Sequence, residues 1–120
     1  MLKIETMYQF QQYLSAVEGR VDHHAGRVKN TMIILAGMVA AKAVPGSVGV
    51  RTYAGATKNV VWFTAAGTDY CMSYNHDEEC VDIRIGGLQG TPFMQVNDDD
   101  LSWISSLADS LSPKEIYAAA

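Results

Sequence analysis

The sequence predicts an α+β domain: two N-terminal helices, the second long and central, then a four-stranded antiparallel meander sheet and a C-terminal helix. Three observations carry that expectation. Apolar residues recur at helical spacing as far as Val44, short β-rich runs separated by turn residues replace them after Gly46, and helical spacing returns after Asn97. With 120 residues, 48% of them hydrophobic, the chain fits a single domain, residues 1–120, long enough to bury a real core.

From Glu5 to Glu18, Met7, Phe10, Leu14 and Val17 share one helical face, and Gly19 is expected to break or bend this first helix before the central one. The central helix is read from Arg20 to Val44. Val21, Ala25, Val28, Met32, Leu35 and Val39 follow one another at steps of four and three. Between Thr31 and Ala41 charge is lacking on every side, so that part is expected to be enclosed. It is too short to cross a bilayer, which takes about 20 apolar residues. Pro45-Gly46 stops it.

Four strands are expected next, at Val48 to Tyr53, Val60 to Ala65, Asp69 to Asn75 and Glu79 to Ile85. Their connections are too short for parallel crossovers, so the strands must run antiparallel. With His76-Asp77 as a two-residue loop, Tyr74 faces Glu79, Met72 faces Val81 and Tyr70 faces Ile83. One face then carries Tyr70, Met72, Tyr74, Val81, Ile83 and Ile85. The other carries Asp69, Cys71, Ser73, Cys80, Asp82 and Arg84, with Asp69 opposite Arg84. A tight Ala66 to Thr68 connection sets Trp62 and Val60 on the first face and Val61, Phe63 and Ala65 on the second. That leaves apolar surface on both faces, more than the helices can cover. Residues 86–92 read as a loop and Phe93 to Val96 as a short edge strand. Asn97-Asp98 is expected to cap a closing helix with Leu101, Ile104, Ala108 and Leu111 inward, and Ser112-Pro113-Lys114-Glu115 to open a last short one. This layout resembles cystatin-like and cone-shaped α+β folds in architecture alone; no motif names a family.

Charge is unevenly placed. Seven basic residues stand against three acidic ones up to Asn59, and two against ten after it. Complementary halves within one domain account for this, and a two-signed surface suited to a second copy is the sharper reading. The basic residues are too dispersed for nucleic acid. Met1-Leu2-Lys3-Ile4-Glu5 opens without a secretory or anchoring segment, so a cytoplasmic protein away from the membrane is expected. Cys71 and Cys80 lack metal-type spacing and read as reduced thiols, lying diagonally on one sheet face where oxidation could join them.

Several clusters look chemical and have plainer explanations. His23 and His24 are adjacent on a helix, pointing about 100° apart, and are expected at the surface rather than on one metal. His76-Asp77-Glu78 begins like a zinc-deaminase signature but lacks Pro-Cys-x-x-Cys and falls in a turn. Asp98-Asp99-Asp100 lacks the calcium-loop pattern; acids at a helix start stabilise its positive end without an ion. Gly86, Gly87 and Gly90 do not spell a dinucleotide loop. Neither a metal nor a cofactor is expected.

What remains is Arg51, Tyr53, Trp62, Tyr70, Met72 and Tyr74, a ligand-binding set between sheet and central helix, in which Tyr and Trp carry polar handles that a plain core does not need. A general acid or base there would have to be Asp82, His23 or Glu79, and spacing places none of them. The resulting expectation is a non-catalytic binding or interaction module, working as a homodimer through the second sheet face or the central helix. A small-molecule-binding protein, or a small hydrolase- or isomerase-type enzyme using the aromatic pocket, is the alternative. A third reading is an acidic inhibitor presenting Asp77, Glu78, Glu79 and Asp98 to Asp100 to a basic partner protein.

Overall fold

In the computed structural model, the described residues are 1–53 and 56–113, with side chains described for all of these but 22–24, 53 and 56–58. The chain runs β1 (Leu2–Lys3), α1 (Met7–His24), a 3-10 turn (Gly26–Val28), α2 (Lys29–Lys42), β2 (Gly49–Tyr53), β3 (Ala56–Ala65), β4 (Thr68–Asn75), β5 (Cys80–Ile85), β6 (Met94–Val96) and α3 (Trp103–Ser110). The α+β class is as expected, but the sheet has six strands rather than four, in meander order from β1 to β6. β6 is the short edge strand. β1 has no signature in the sequence, because two residues cannot show alternation. The short helix expected after Ser112 lies outside the described residues.

The helix boundary moves. Gly19 does not interrupt α1; it is exposed in open space, where a helical glycine costs only about 1 kcal/mol. The break falls at Ala25, φ −146°, so α1 with 18 residues is longer than α2 with 14. Thr6-x-x-Gln9 closes a capping box on α1: the Thr6 hydroxyl accepts from Gln9 N, and Gln9 Oε1 accepts from Thr6 N. α2 is capped from far along the chain. Asp98 accepts from Asn30 N at 3.0 Å, from Thr31 N at 2.7 Å and from the Thr31 hydroxyl at 2.6 Å. The Asp run thus stabilises a helix start by the expected physics, but the helix is α2; Ser102 precedes α3 without a side-chain cap. Nor is α2 enclosed within the chain. Thr31, Leu35 and Val39 are buried, while Ile33 is 55% exposed and Val44 just beyond is 47% exposed.

Two loop lengths reset the sheet register. The β3–β4 connection is the two-residue turn Ala66-Gly67, both at positive φ (51° and 77°), a pair of angles that glycine accepts and alanine tolerates at a cost. Val61 therefore pairs with Met72 and Phe63 with Tyr70. This one-residue slip turns β3 over: Val61, Phe63 and Ala65 join Tyr70 and Met72, and Trp62 moves to the opposite face. The β4–β5 loop has four residues, His76 to Glu79, so Tyr74 pairs with Val81, Met72 with Ile83, and Cys71, not Asp69, with Arg84. That slip is two residues and leaves the face assignment of β4 and β5 intact. It also separates the thiols by four positions along the strands, ~13 Å, beyond disulfide reach. Both are free and buried.

All three helices cover the Tyr70–Met72 face. Beneath α3 and the end of α2, Leu35, Val39, Phe63, Ile83, Leu107 and Leu111 belong to one core cluster. Beneath α1 and the start of α2, Tyr13, Val17, Val21, Val28 and Val50 belong to a second. Val48, Val61 and Val81 touch both.

Candidate functional site

Between the sheet and the α1–α2 pair, the second cluster leaves a partly open cavity of about 100 Å³. α1 supplies Phe10, Tyr13, Leu14, Val17 and Val21 to its wall, α2 Met32, Leu35, Ala36 and Val39, and the sheet Val50, Val61, Met72, Tyr74 and Val81. Its surface is almost wholly apolar. The half-buried Phe10, Leu14, Met32 and Ala36 place its open side between the two helices. The geometry follows from the chain break at Ala25. α1 and α2 meet at the 3-10 turn and lie side by side over a twisted sheet, and among the described residues no third helix fills the space between them. A pocket of this polarity stays dry unless an apolar molecule enters; an engineered apolar cavity of about 150 Å³ takes up benzene.

The ligand-binding set read from the sequence is divided by the fold. Met72 and Tyr74 line the cavity. Tyr70 is buried in the other core cluster, stacked on Phe63 with ring centroids 5.3 Å apart, its hydroxyl donating to Ser110 O at 3.3 Å. Trp62 and Arg51 are on the opposite face, with the Arg51 guanidinium 5.7 Å from the Trp62 ring centroid. The Tyr53 side chain lies outside the described residues, as do those of His23 and His24. Helical spacing marked Phe10, Leu14 and Val17 as inward, but no pattern in the sequence distinguishes inward-facing residues that touch each other from those that border a void.

The cavity wall has few polar groups, and burial sets their chemistry. It pushes the Tyr13 hydroxyl up to about 12, against a smaller opposing pull from the Arg20 charge. Tyr74 is raised too, by burial and then by Glu79. Asn59 is the wall's amide. Of the acid-base candidates, Glu79 is exposed and ion-paired with Arg27 at 3.1 Å. Asp82 is buried on the far face of the sheet among Asn75, Arg84 and Gln95, with contacts of 3.2, 3.4 and 2.9 Å. Cys80 donates to Asp82 at 3.6 Å, and burial followed by this carboxylate raises the thiol to about 11. The network is a satisfied set of polar partners on the far face.

The acidic run is likewise in use. Arg27 is held by Asp99 and by Glu79, and its guanidinium is shifted further toward the charged form by those hydrogen bonds. The basic helical half and the acidic strand half of the chain therefore meet at Arg27. Among the described residues no group of three or more His, Cys, Asp or Glu side chains could hold a metal ion. No helix among them is long and apolar enough to cross a membrane.

Fold and site together define a small α+β protein in which a helix pair and a meander sheet enclose an apolar pocket. The chain belongs to the family described as Integron cassette protein VCH_CASS1 chain, which it matches over residues 10–100, from the first cavity-lining residue of α1 to the end of the Asp run. No curated protein matches the chain.

Proposed function

We propose that this protein is a non-catalytic binding module whose ligand is a small apolar molecule held between the sheet and the α1–α2 pair. The observation that carries the reading is the cavity itself, about 100 Å³ of space with a wall almost entirely of Val, Leu, Met and aromatic carbon. Binding is favoured over catalysis by the groups that line it. Two tyrosine hydroxyls, protonated at neutral pH as tyrosine ordinarily is and shifted further up by burial, the Asn59 amide and Ser73 orient a ligand but do not take up a proton. The test is a titration with benzene, followed by methyl NMR. Saturable shifts at Val17, Val28 and Met72, with Leu107 and Ile83 unmoved, are expected. Shifts that never saturate, or that are the same at both ends of the core, would overturn the reading.

A second reading, pairing of two copies, is favoured by a separate observation. With Val61, Phe63 and Ala65 turned inward, an exposed apolar strip remains on the outer side of α2. Ile33, Gly37, Ala40 and Val44 are exposed there at helical spacing. The small residues allow close approach of a second α2. Sedimentation should give a dimer that Ile33→Glu converts to a monomer; a monomer before substitution removes this reading and leaves the cavity reading untouched.

A further inference from the structure

The far face of the sheet, which none of the described helices covers, carries a second hollow. It is an open groove of about 220 Å³, lined by Met1, Lys3, Ser47, Trp62, Thr64 and Asp69. The strand pairings bring these residues together. Lys3 faces Gly49 across β1 and β2, Gly49 faces Trp62 across β2 and β3, and Thr64 faces Asp69 across β3 and β4. Gly49 leaves the floor without a side chain, and Met1 leans into the space where a Cβ would stand. Trp62, turned to this face by the tight β3–β4 connection, is half-buried, and its indole N–H has no hydrogen-bond partner among the described residues.

Two opposite charges share the groove without neutralising each other. The Lys3 ammonium donates to Gly46 O at 3.0 Å and keeps two further hydrogens. Asp69 accepts from the Thr64 hydroxyl at 2.7 Å through Oδ1 and keeps Oδ2. Both residues are exposed, and among the described residues neither forms an ion pair. Gly46, which holds the ammonium, precedes β2, and Asp69 is on β4. The charges therefore stand two strand spacings apart, roughly 10 Å at about 4.8 Å each, too far for a direct bond. Trp62 and Thr64, on β3, lie between them.

We propose that this groove binds a linear zwitterion, with its amine on Asp69, its carboxylate on Lys3 and the apolar stretch between them on the Trp62 indole. An ammonium and a carboxylate at the two ends of one chain match both charges at once, through charge-assisted hydrogen bonds. The indole, apolar in body and polar at one edge, suits a methylene chain between polar ends. An α-amino acid, whose charged groups flank a single carbon, reaches only one end of the groove. A chain with one charge leaves the other end unmatched. The site is separate from the apolar cavity and does not rest on that reading.

The experiment titrates the native protein with ε-aminocaproate, caproate and hexylamine and reads the Trp62 indole signal by NMR, with Trp103 in the α3 core as the internal reference. ε-Aminocaproate is expected to saturate and to bind about fivefold more tightly than either one-charge chain, the upper limit for an exposed ion pair. Lys3→Gln should reduce it to the level of hexylamine, and Asp69→Asn to the level of caproate. Glycine, too short to span the groove, is a control that needs no variant. Equal affinities for the three chains, a glycine affinity equal to that of ε-aminocaproate, a preference that survives either substitution, or shifts that never saturate would each overturn the proposal and leave the cavity reading untouched.

Discussion

At its α3 end the inner face of the sheet is filled: Ile83, Leu107 and Leu111 are each no more than 2% exposed and interlock with Phe63 and Trp103. At its α1 end the same face, with residues just as apolar, leaves a cavity of about 100 Å³. Composition does not separate the two ends. The difference lies in what is laid across them. α3 is a short helix whose Trp103 and Leu107, with Leu111 at its C-terminal cap, reach down at one spacing into one core cluster. The α1–α2 pair is joined at a tight turn, so its axes are set by that turn and by the Asp98 cap as well as by packing. Apolar faces make a core only where the covering helix is free to settle; where its position is dictated elsewhere, they make a pocket.

The largest effect that checks this contrast is truncation at the filled end. Leu107→Ala should cost about 3 kcal/mol, the transfer loss plus a new void in closely packed surroundings. Val17→Ala at the hollow end should cost about 1 kcal/mol, because its neighbours already border empty space. Urea unfolding of the two variants measures both. Equal losses for equal volumes removed would mean that the two ends are packed alike.

Asp98 holds the hollow end in shape, and its loss ranks second. Burial pushes its carboxyl upward, but the hydrogen bonds from Thr31 and Asn30 outweigh that and hold it below the ordinary carboxylate value. Because the folded-state value is lowered, the stabilisation is complete above about pH 4 and drains away as pH falls through the folded-state value. Asp98→Ala should cost about 1 to 2 kcal/mol at pH 7, within the range for a lost N-cap. It should also speed hydrogen exchange in the first turn of α2 while leaving α3 protected. A variant whose loss is the same at pH 3 as at pH 7 would show that the charge is not what caps α2.

Much of the architecture was legible in the sequence, for a local reason. Spacing in α1 and α2 and alternation in β4 and β5 are written residue by residue, so fold class and strand order follow from them. The errors arose where a long-range partner or the geometry of a turn decides. Asp98 caps a helix 67 residues before it in the chain, so the sequence pattern assigned it to the nearer helix. Ala66 at positive φ shortens a loop by one residue, and that reversal carried Trp62 out of the site and Val61 into it. The pocket left no trace in the sequence because Val17 and Val28 look alike whether they touch a neighbour or a void.

The smallest effect is also the one that turns the hollow end into a filled one. Ala36 stands half-buried at the open side of the cavity, on the α2 face that looks toward α1. Ala36→Leu adds three carbons to a helix position where leucine is nearly as good a helix former as alanine, so the substitution tests space and little else. If the leucine lies in the cavity it buries apolar area without displacing a neighbour. Unfolding should then become harder by about 1 kcal/mol, the low end of the gain for burying a side chain of this size, since part of it stays at the mouth. Benzene shifts at Val17 and Met72 should vanish at the same time. A leucine that destabilises by 1 kcal/mol or more would behave as insertion into a packed core does, and would place the α1 end in the same class as the α3 end.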